Sequence, residues 1–219
     1  TQNAIDRIQA HLDYFEKGFP TSQSKNYTYP CSTENNDWTE GFYSGILWLC
    51  YEMTKDDTFR KAAELHDSYL KERIEKRAHV AHHDMGFLYT LSNIAQYRLT
   101  DSDDAKKTAL LAADCLMERF HTVGGFIQAW GPLNEPDSYR LIIDCLLNIP
   151  LLYWATEVTG DDKYRKAAIT HLHTTMNVIV REDGSTFHTY FFNIETGAPL
   201  RGTTHQGYAD DSCWARGQA

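Results

Sequence analysis

A single carboxylate, Asp144, stands in a long apolar run that covers residues 140–155. A buried carboxylate is costly unless it is paired or hydrogen-bonded, or else it takes up a proton and its pKa rises. A carboxyl group held in this way can carry out acid–base chemistry. Asp84, which follows His82 and His83, is the second candidate. Two carboxylates at one site suggest the cleavage of a glycosidic bond, in which such a pair divides the acid, base and nucleophile roles.

Both aspartates also have a purely structural interpretation, as residues that cap the N-terminus of a helix. Asp84 could cap a helix that runs to Arg98, and for Asp84 taken alone this interpretation is favoured. Asp144 could cap the helix that starts near it, and here capping and catalysis are equally supported. The choice therefore depends on whether the rest of the chain brings both carboxylates to one place.

An internal repeat indicates how the chain positions them. The segment 54–63 recurs loosely from Thr100 and closely over residues 159–168. In each copy an apolar helix leads into a Thr/Asp turn, and a more amphipathic helix then starts with an aspartate near its N-terminus. Such repeats predict stacked helical hairpins. Because their spacing varies, the pattern favours an all-α fold whose hairpins close into an α/α toroid, with an open superhelical solenoid as the alternative.

The inner helices of the hairpins can be aligned by the threonine at which each one ends. Trp38 and Asp84 each lie 16 residues before that threonine, and Asp144 lies 15 residues before it. In a toroid, the starts of the inner helices open on one mouth. The spacing thus predicts that these three residues surround one cavity. The longer connections lead into the same mouth: residues 77–84, 119–138 and 180–211.

Further side chains near this mouth could bind a ligand. Aromatic faces pack against the apolar face of a sugar ring, although a place in the core is the default interpretation of Trp38, Phe87 and Trp130. Arg216 could form a structural ion pair or act as a fork for a substrate carboxylate. Several histidines raise the possibility of a metal: His79, His82, His83 and His188. Their spacing matches no metal motif, so neither a metal nor another cofactor is expected.

The composition argues against several other classes of partner. The net charge is −9, with no basic tract, which argues against nucleic acid. No apolar run reaches the length of a membrane span, and the first residues lack the pattern of a signal peptide. The five cysteines form no CxxC pair. This favours a reducing, cytoplasmic compartment over a disulfide framework or a zinc ribbon, while the oligomeric state is left open.

Three segments resemble glycoside hydrolase family 88, the family of the unsaturated glucuronyl hydrolases: residues 82–87 (HHDMGF), 140–144 (RLIID) and 201–218 (RGTTHQGYADDSCWARGQ). The third segment is long and specific. The resemblance implies an (α/α)6 barrel, and proteins of this family are nearly twice as long as this chain. Residues 212–219 look like the start of a further inner helix. We therefore expect residues 1–219 to be the N-terminal portion of a single catalytic barrel domain.

The resemblance also implies an activity. The family acts on oligosaccharides that polysaccharide lyases leave with a 4,5-unsaturated uronate at the non-reducing end. The ring of this sugar contains an enol ether, so protonation at C4 generates an oxocarbenium-like centre at C5, which water attacks. The resulting hemiketal opens and expels the rest of the sugar. One carboxyl group with a pKa near neutrality could donate the first proton and accept one from water.

By the same resemblance, Asp144 is the acid/base, and Asp84 holds the ring hydroxyls or tunes Asp144. The resemblance places further residues at the substrate: Trp38, His83, Phe87, Trp130, His188, Gln206 and Arg216. Two alternatives remain at this stage. One is the related class of unsaturated rhamnogalacturonyl hydrolases, which act on pectin fragments, and the other is a non-catalytic helical-repeat module that binds carbohydrate or protein.

Overall fold

The structure, a computed structural model, describes residues 1–214. Contacts divide the chain into two compact units. The first comprises residues 1–80 and 85–112, and the second comprises residues 81–84 together with the chain from residue 113 onward. No helix among the described residues combines the length and the apolar character needed to cross a membrane.

The first unit is built mainly of helices. Their bounds are α1 Gln2–Gln9, α2 Glu40–Thr54, α3 Asp57–Glu75, α4 Met85–Tyr89, α5 Asn93–Thr100 and the first part of α6 Asp103–Met117. A two-residue antiparallel pair, β1 Phe19–Pro20 and β2 Cys31–Ser32, lies between α1 and α2. Helices α2 and α3 pack together as a hairpin around fully buried side chains: Leu47, Trp48, Phe59, Ala63 and Leu70.

The second unit contains another helical hairpin and two small antiparallel sheets. Its elements are β3 Phe120–His121, β4 Phe126–Ile127, β5 Arg140–Ile142, α7 Pro150–Thr159, α8 Asp162–Ile179, β6 Thr189–Phe192 and β7 Pro199–Thr203. Two 3-10 turns cover Pro136–Ser138 and Ile143–Leu147. Strands β5, β6 and β7 form an antiparallel sheet. One face of this sheet packs on a core cluster of Phe126, Tyr139, Leu141, Ile179 and Phe192.

The predicted repeat is confirmed in the turns between paired helices. The hydroxyl of Thr54 donates to the carbonyl of Cys50 at the end of α2, and Asp56 accepts from the backbone N–H of Thr58 at the start of α3. The same contacts recur between α7 and α8, with Thr159 and Asp161 in the two roles. The residue between threonine and aspartate has a positive φ in both turns. One local sequence pattern thus directs both hairpins.

Several details of the predicted elements were wrong. The apolar spacing of residues 4–17 predicts a helix over that range, but α1 ends at Gln9, and turns follow it. The helix expected from Asp84 to Arg98 is interrupted by turns at residues 90–92. Helix α7 begins only at Pro150, because a proline ring suits the first turn of a helix. Asp144 therefore lies in the preceding 3-10 turn and does not cap α7.

The long connections at residues 119–138 and 180–211 contain β3, β4, β6 and β7. Such short strands carry too few residues for the alternation of apolar and polar side chains to be visible. Strand β5 pairs with a segment far along the sequence, as Arg140 does with Phe191, whereas β6 and β7 are neighbours in the chain and pair as Phe191 does with Arg201. Ile142, Thr189 and Thr203 form the next rung of the same sheet face.

Candidate active site

Three side chains of the second unit converge. The Nε2 atom of His83 lies 3.2 Å from Oδ1 of Asp84 and 3.5 Å from Oδ1 of Asp144. On the far side of this group, Nδ1 of His82 lies 3.0 Å from Oδ2 of Asp84. His83 is buried, whereas Asp84 and Asp144 remain 15% and 14% exposed, so both carboxyl groups can meet a ligand. The structure thus brings together the two aspartates that the hairpin spacing put at one level.

Main-chain hydrogen bonds hold the contributing segments side by side. The N–H of His83 donates to the carbonyl of Ala129 at 2.7 Å, and the N–H of Ala129 donates to the carbonyl of Arg140 at 3.0 Å. The N–H of Ile143, the residue before the second aspartate, donates to the carbonyl of His188 at 2.9 Å. The position of each carboxyl group therefore follows from strand pairing and does not depend on side-chain contacts alone.

The charges in this cluster support one another. Burial acts to raise the pKa of Asp84, but His83 and then His82 hold that pKa well below its usual range. Burial acts to lower the pKa of His83, but Asp84 and then Asp144 raise it above its ordinary value, against the opposing charge of Arg119. His83 and Asp84 thus form an imidazolium–carboxylate pair, and an N–H donor of this pair faces Asp144.

The same three side chains could also be considered as metal ligands. One ligand atom from each of His83, Asp84 and Asp144 lies within 4.8 Å of the others. A histidine binds a metal through a deprotonated ring nitrogen. The neighbouring carboxylates raise the pKa of His83, so a proton on its Nε2 would compete with a metal ion for the same position.

Trp130 belongs to a segment held by buried polar groups. The Nε atom of Arg119 donates to the carbonyl of Gln128 at 2.9 Å, and the side-chain amide of Gln128 donates to the carbonyl of Trp130 at 2.9 Å. The backbone of Trp130 forms an isolated bridge with His82. Its ring packs against the ring of His205, with centroids 5.0 Å apart. Trp130 is therefore a rigid aromatic surface next to the residues that contact Asp84.

His188 organises the segment that follows β7. Its Nδ1 atom accepts from the backbone N–H groups of His205 and Gln206, at 3.1 and 3.3 Å, and lies 3.0 Å from Oγ1 of Thr204. A nitrogen that accepts these bonds is unprotonated, so neutral His188 carries its proton on Nε2. The ring of His188 stacks on Trp214 with centroids 4.2 Å apart. His188 and Gln206, both expected at the substrate, are thus neighbours.

Two further candidates, Trp38 and Phe87, belong to the first unit. In the first unit, Trp38 packs against Phe87, with ring centroids 5.2 Å apart, and Phe42 packs against both. The place of Trp38 and Phe87 at the substrate stays a prediction. Arg216 lies outside the described residues.

Sequence reasoning missed three residues that support this site. Arg119 and Gln128 give no signal in the sequence, because their role is to bind the carbonyl groups of a loop. Arg140 lies with its guanidinium carbon 4.4 Å from the centroid of the Trp130 ring. An arginine that opens an apolar strand was a signal that could have identified Arg140, since such a charge needs a partner.

Comparison with known proteins supplies independent information. The model of a family described as Glycosyl Hydrolase Family 88 matches residues 12–219. The unsaturated chondroitin disaccharide hydrolase of Streptococcus pneumoniae (strain ATCC BAA-255 / R6) is 47% identical over 98% of this chain and 54% of that protein. The unsaturated glucuronyl hydrolase of Bacillus sp. (strain GL1) is 47% identical over 99% of this chain and 58% of that protein. The chain spans about half the length of the curated relatives it matches.

Solved structures agree with these matches. A crystal structure of unsaturated glucuronyl hydrolase from Streptococcus agalactiae superposes with a TM-score of 0.93 at 47% identity, over 99% of this chain and 55% of that one. The enzyme from Bacillus sp. GL1, described as responsible for the degradation of glycosaminoglycan, gives a TM-score of 0.94 at 45% identity, over 98% and 57% of the two chains. These matches confirm the all-α, α/α-barrel fold class predicted from the sequence.

Proposed function

The chain belongs to glycoside hydrolase family 88, and from this membership we propose that the intact protein is an unsaturated glucuronyl hydrolase. It removes the 4,5-unsaturated uronic acid from the non-reducing end of oligosaccharides that lyases release from glycosaminoglycans. The observation that carries this proposal is the cluster of Asp84, His83 and Asp144, in which one buried imidazole nitrogen faces both carboxyl groups.

The geometry suits general acid–base catalysis by Asp144. In its protonated form, Asp144 gives its proton to C4 of the enol ether, and positive charge develops at C5. Water then bonds to C5 and returns a proton to the Asp144 carboxylate, so the carboxyl group ends the cycle as it began. The hemiketal formed in this way opens and releases the remaining sugar. One carboxyl group serves both steps, because the two proton transfers occur in sequence.

Asp84 and His83 support this cycle by holding a constant charge. Asp84 stays ionised because the neighbouring histidines lower its pKa, so it can accept hydrogen bonds from sugar hydroxyls throughout the reaction. The anionic Asp84 disfavours a second negative charge nearby, which helps Asp144 to hold a proton. The cationic His83 partly offsets the influence of Asp84 on Asp144, because its N–H faces both carboxyl groups and favours their ionised forms.

The other residues form the sugar site. Trp130 offers a rigid ring for stacking, and His188 and Gln206 lie together where they can hold the substrate or the attacking water. Trp38, Phe87 and Arg216 complete the uronate site in this proposal. The choice of these two aspartates is supported by solved variants of the relative from Streptococcus agalactiae. Those include two single Asp-to-Asn variants whose positions lie as far apart in that sequence as Asp84 and Asp144 do here.

The substrate class is supported by names of relatives. Three streptococcal relatives, at 45–47% identity, are named unsaturated chondroitin disaccharide hydrolases, and one solved variant holds dGlcA-GalNAc6S. We also propose a cytoplasmic location, because all five cysteines are free thiols, as is usual in a reducing compartment. Cell fractionation with an antibody against the protein tests the location.

A panel of substrates tests the activity. Lyase-made unsaturated disaccharides of chondroitin, hyaluronan and heparin are supplied to the intact protein, together with unsaturated pectin fragments. Loss of the conjugated double bond is followed by ultraviolet absorbance. Consumption of glycosaminoglycan disaccharides is the expected result. Consumption of the pectin fragments alone identifies an unsaturated rhamnogalacturonyl hydrolase instead, and no consumption of any substrate refutes the proposed activity.

A further inference from the structure

Two arginines lie in register on the face of the three-stranded sheet that points away from the core cluster. Arg140 on β5 is paired with Phe191 on β6, and Phe191 is paired with Arg201 on β7. The guanidinium carbons of Arg140 and Arg201 lie 5.1 and 4.8 Å from the centroid of the Phe191 ring. Leu141 belongs to the core cluster, and side chains alternate along a strand, so Arg140 points to the opposite face.

This rung of the sheet is continuous with the candidate active site. The guanidinium carbon of Arg140 also lies 4.4 Å from the centroid of the Trp130 ring, which itself packs against His205. Along β5, Ile142 forms the next rung on the same face, and Asp144 follows two residues later. Arg140 is thus four residues from Asp144, and four residues of extended strand would span about 13 Å. The cationic rung therefore adjoins the candidate site through Trp130, and Asp144 lies further along the same strand and turn.

Neither arginine forms an ion pair with a carboxylate within residues 1–214. Burial lowers the pKa of Arg140, and the carboxylate of Asp137 acts in the opposite direction without an ion pair. Arginine nevertheless stays charged in proteins. Stacking on an aromatic ring offsets part of the cost of a half-buried cation, but it leaves the N–H groups at the edge of the guanidinium available as donors. Such donors beside a substrate site suit an anion.

We propose that Arg140 and Arg201 form a subsite for an anionic group that the substrate carries next to the reacting sugar. The group is a sulfate or the carboxylate of a second uronate, both of which a guanidinium can bind through paired hydrogen bonds. The inference rests on the proposed function, because glycosaminoglycan fragments carry both kinds of group. A local pair of cations also helps a chain with net charge −9 to attract a polyanionic substrate.

The test compares Arg140→Gln and Arg201→Gln with the wild-type intact protein. The substrates are an unsaturated chondroitin disaccharide without sulfate, its 4-sulfated and 6-sulfated forms, and the unsulfated tetrasaccharide, which adds a carboxylate. We expect kcat/KM for at least one anionic substrate to fall about tenfold in each variant relative to the unsulfated disaccharide, mainly through KM. A loss for the sulfated disaccharides identifies sulfate as the bound group, and a loss for the tetrasaccharide identifies the carboxylate. Salt should raise KM less in the variants than in the wild type.

Arg165→Gln is the matched control, because Arg165 is an exposed arginine of α8 that pairs with Asp162. It should leave all four substrates unaffected. If Arg140→Gln and Arg201→Gln lower kcat/KM equally for every substrate, the two residues only stabilise the sheet and the subsite is refuted. Calorimetric binding of the same saccharides gives a readout without turnover. If the wild type consumes nothing, the proposed function fails, and the loss or retention of selective anion binding in the variants still decides on the subsite.

Discussion

The Nε2 atom of the buried His83 imidazole lies 3.5 Å from Oδ1 of Asp144, so a cationic N–H donor faces the carboxyl group proposed to transfer the proton. The same nitrogen is closer to Asp84, whose pKa it helps to hold below the usual range. In the proposed mechanism, two members of the cluster keep their charge while the third changes its own.

Replacement of His83 tests the charge pair. The raised pKa of His83 contributes stability that is present below its unfolded value of about 6.5 and is lost as pH rises through the folded value. The lowered pKa of Asp84 contributes stability that is present above about 3.9 and is lost as pH falls. The pair therefore stabilises most between these two values. His83→Asn should lower the free energy of unfolding by about 3 kcal/mol between these two pH values. The maximum in the plot of stability against pH should then disappear.

Urea unfolding between pH 3 and pH 9 measures this effect. His173→Asn is the control, because His173 lies on the exposed side of α8. It should keep the pH profile of the wild type. A His83→Asn protein whose stability follows the same pH curve as the wild type would show that His83 and Asp84 are not a charged pair.

Replacement of Arg73 tests how much a buried ion pair near the start of α2 contributes to stability. The Nη1 atom of Arg73 donates to Oε2 of Glu40 at 2.5 Å and to the carbonyl of Asp37 at 2.7 Å. Its Nη2 atom donates to the carbonyl of His79 at 2.7 Å. Burial raises the pKa of Glu40 in spite of this partner, so an unpaired Glu40 would be costly. Arg73→Met should destabilise the protein by about 3–5 kcal/mol.

A double replacement separates the charge from the backbone contacts. Arg73→Met combined with Glu40→Leu leaves no unpaired buried charge, so part of the lost stability should return. Recovery should be incomplete, because the carbonyls of Asp37 and His79 still lose their donor. Thermal unfolding of the two variants gives the comparison. A double variant no more stable than Arg73→Met would mean that the ion pair itself contributes nothing to the cost.

Asp67 is a carboxyl group buried in the core of the α2–α3 hairpin, and its burial should make the stability of the protein depend on pH. Ser44 and Trp48 donate to it, but burial raises its pKa to about 7. The unfolded chain loses this proton near pH 4, whereas the folded protein keeps it until about pH 7, so stability falls as pH rises between these values. A single proton gives a slope of at most about 1.4 kcal/mol per pH unit.

Asp67→Asn should remove this part of the pH dependence, because the amide can still accept from Trp48 and does not titrate. Stability measured by urea unfolding at pH 5 and pH 7.5 should then differ less than in the wild type. Asp57→Asn, at an exposed position at the start of α3, is the control. An unchanged difference in Asp67→Asn would place the carboxylate in its ionised form in the folded protein.

The hairpins could be predicted because their signals are local. The Thr-x-Asp turn of residues 54–56 and that of residues 159–161 determine where one helix ends and the next begins, and both use the same side-chain bonds. The approach of Asp84 and Asp144 could also be anticipated, since their distances from the ends of the inner helices are nearly equal. Repeated local geometry places such residues at one level without any knowledge of long-range contacts.

The sheet could not be predicted, because β5 pairs with β6 across about fifty residues of intervening chain. Asp144 was expected at the start of a helix, but it lies in a 3-10 turn at the end of β5, and the pairing of β5 with β6 places it there. The supports of Trp130 were also beyond prediction, since Arg119 and Gln128 act on carbonyl groups of a loop. Long-range pairing and side-chain-to-backbone bonds leave no periodic trace in a sequence.

Replacement of Asp144 tests directly whether this residue transfers the proton. Ultraviolet absorbance follows the consumption of an unsaturated chondroitin disaccharide by the intact wild-type protein, by Asp144→Asn and by the control Asp162→Asn, which alters an exposed aspartate of α8. We expect kcat of Asp144→Asn to fall by about 10²–10⁴, with KM little changed, while the control keeps wild-type kinetics. Retention of most of the wild-type kcat by Asp144→Asn, on a substrate that the wild type consumes, would contradict the assignment.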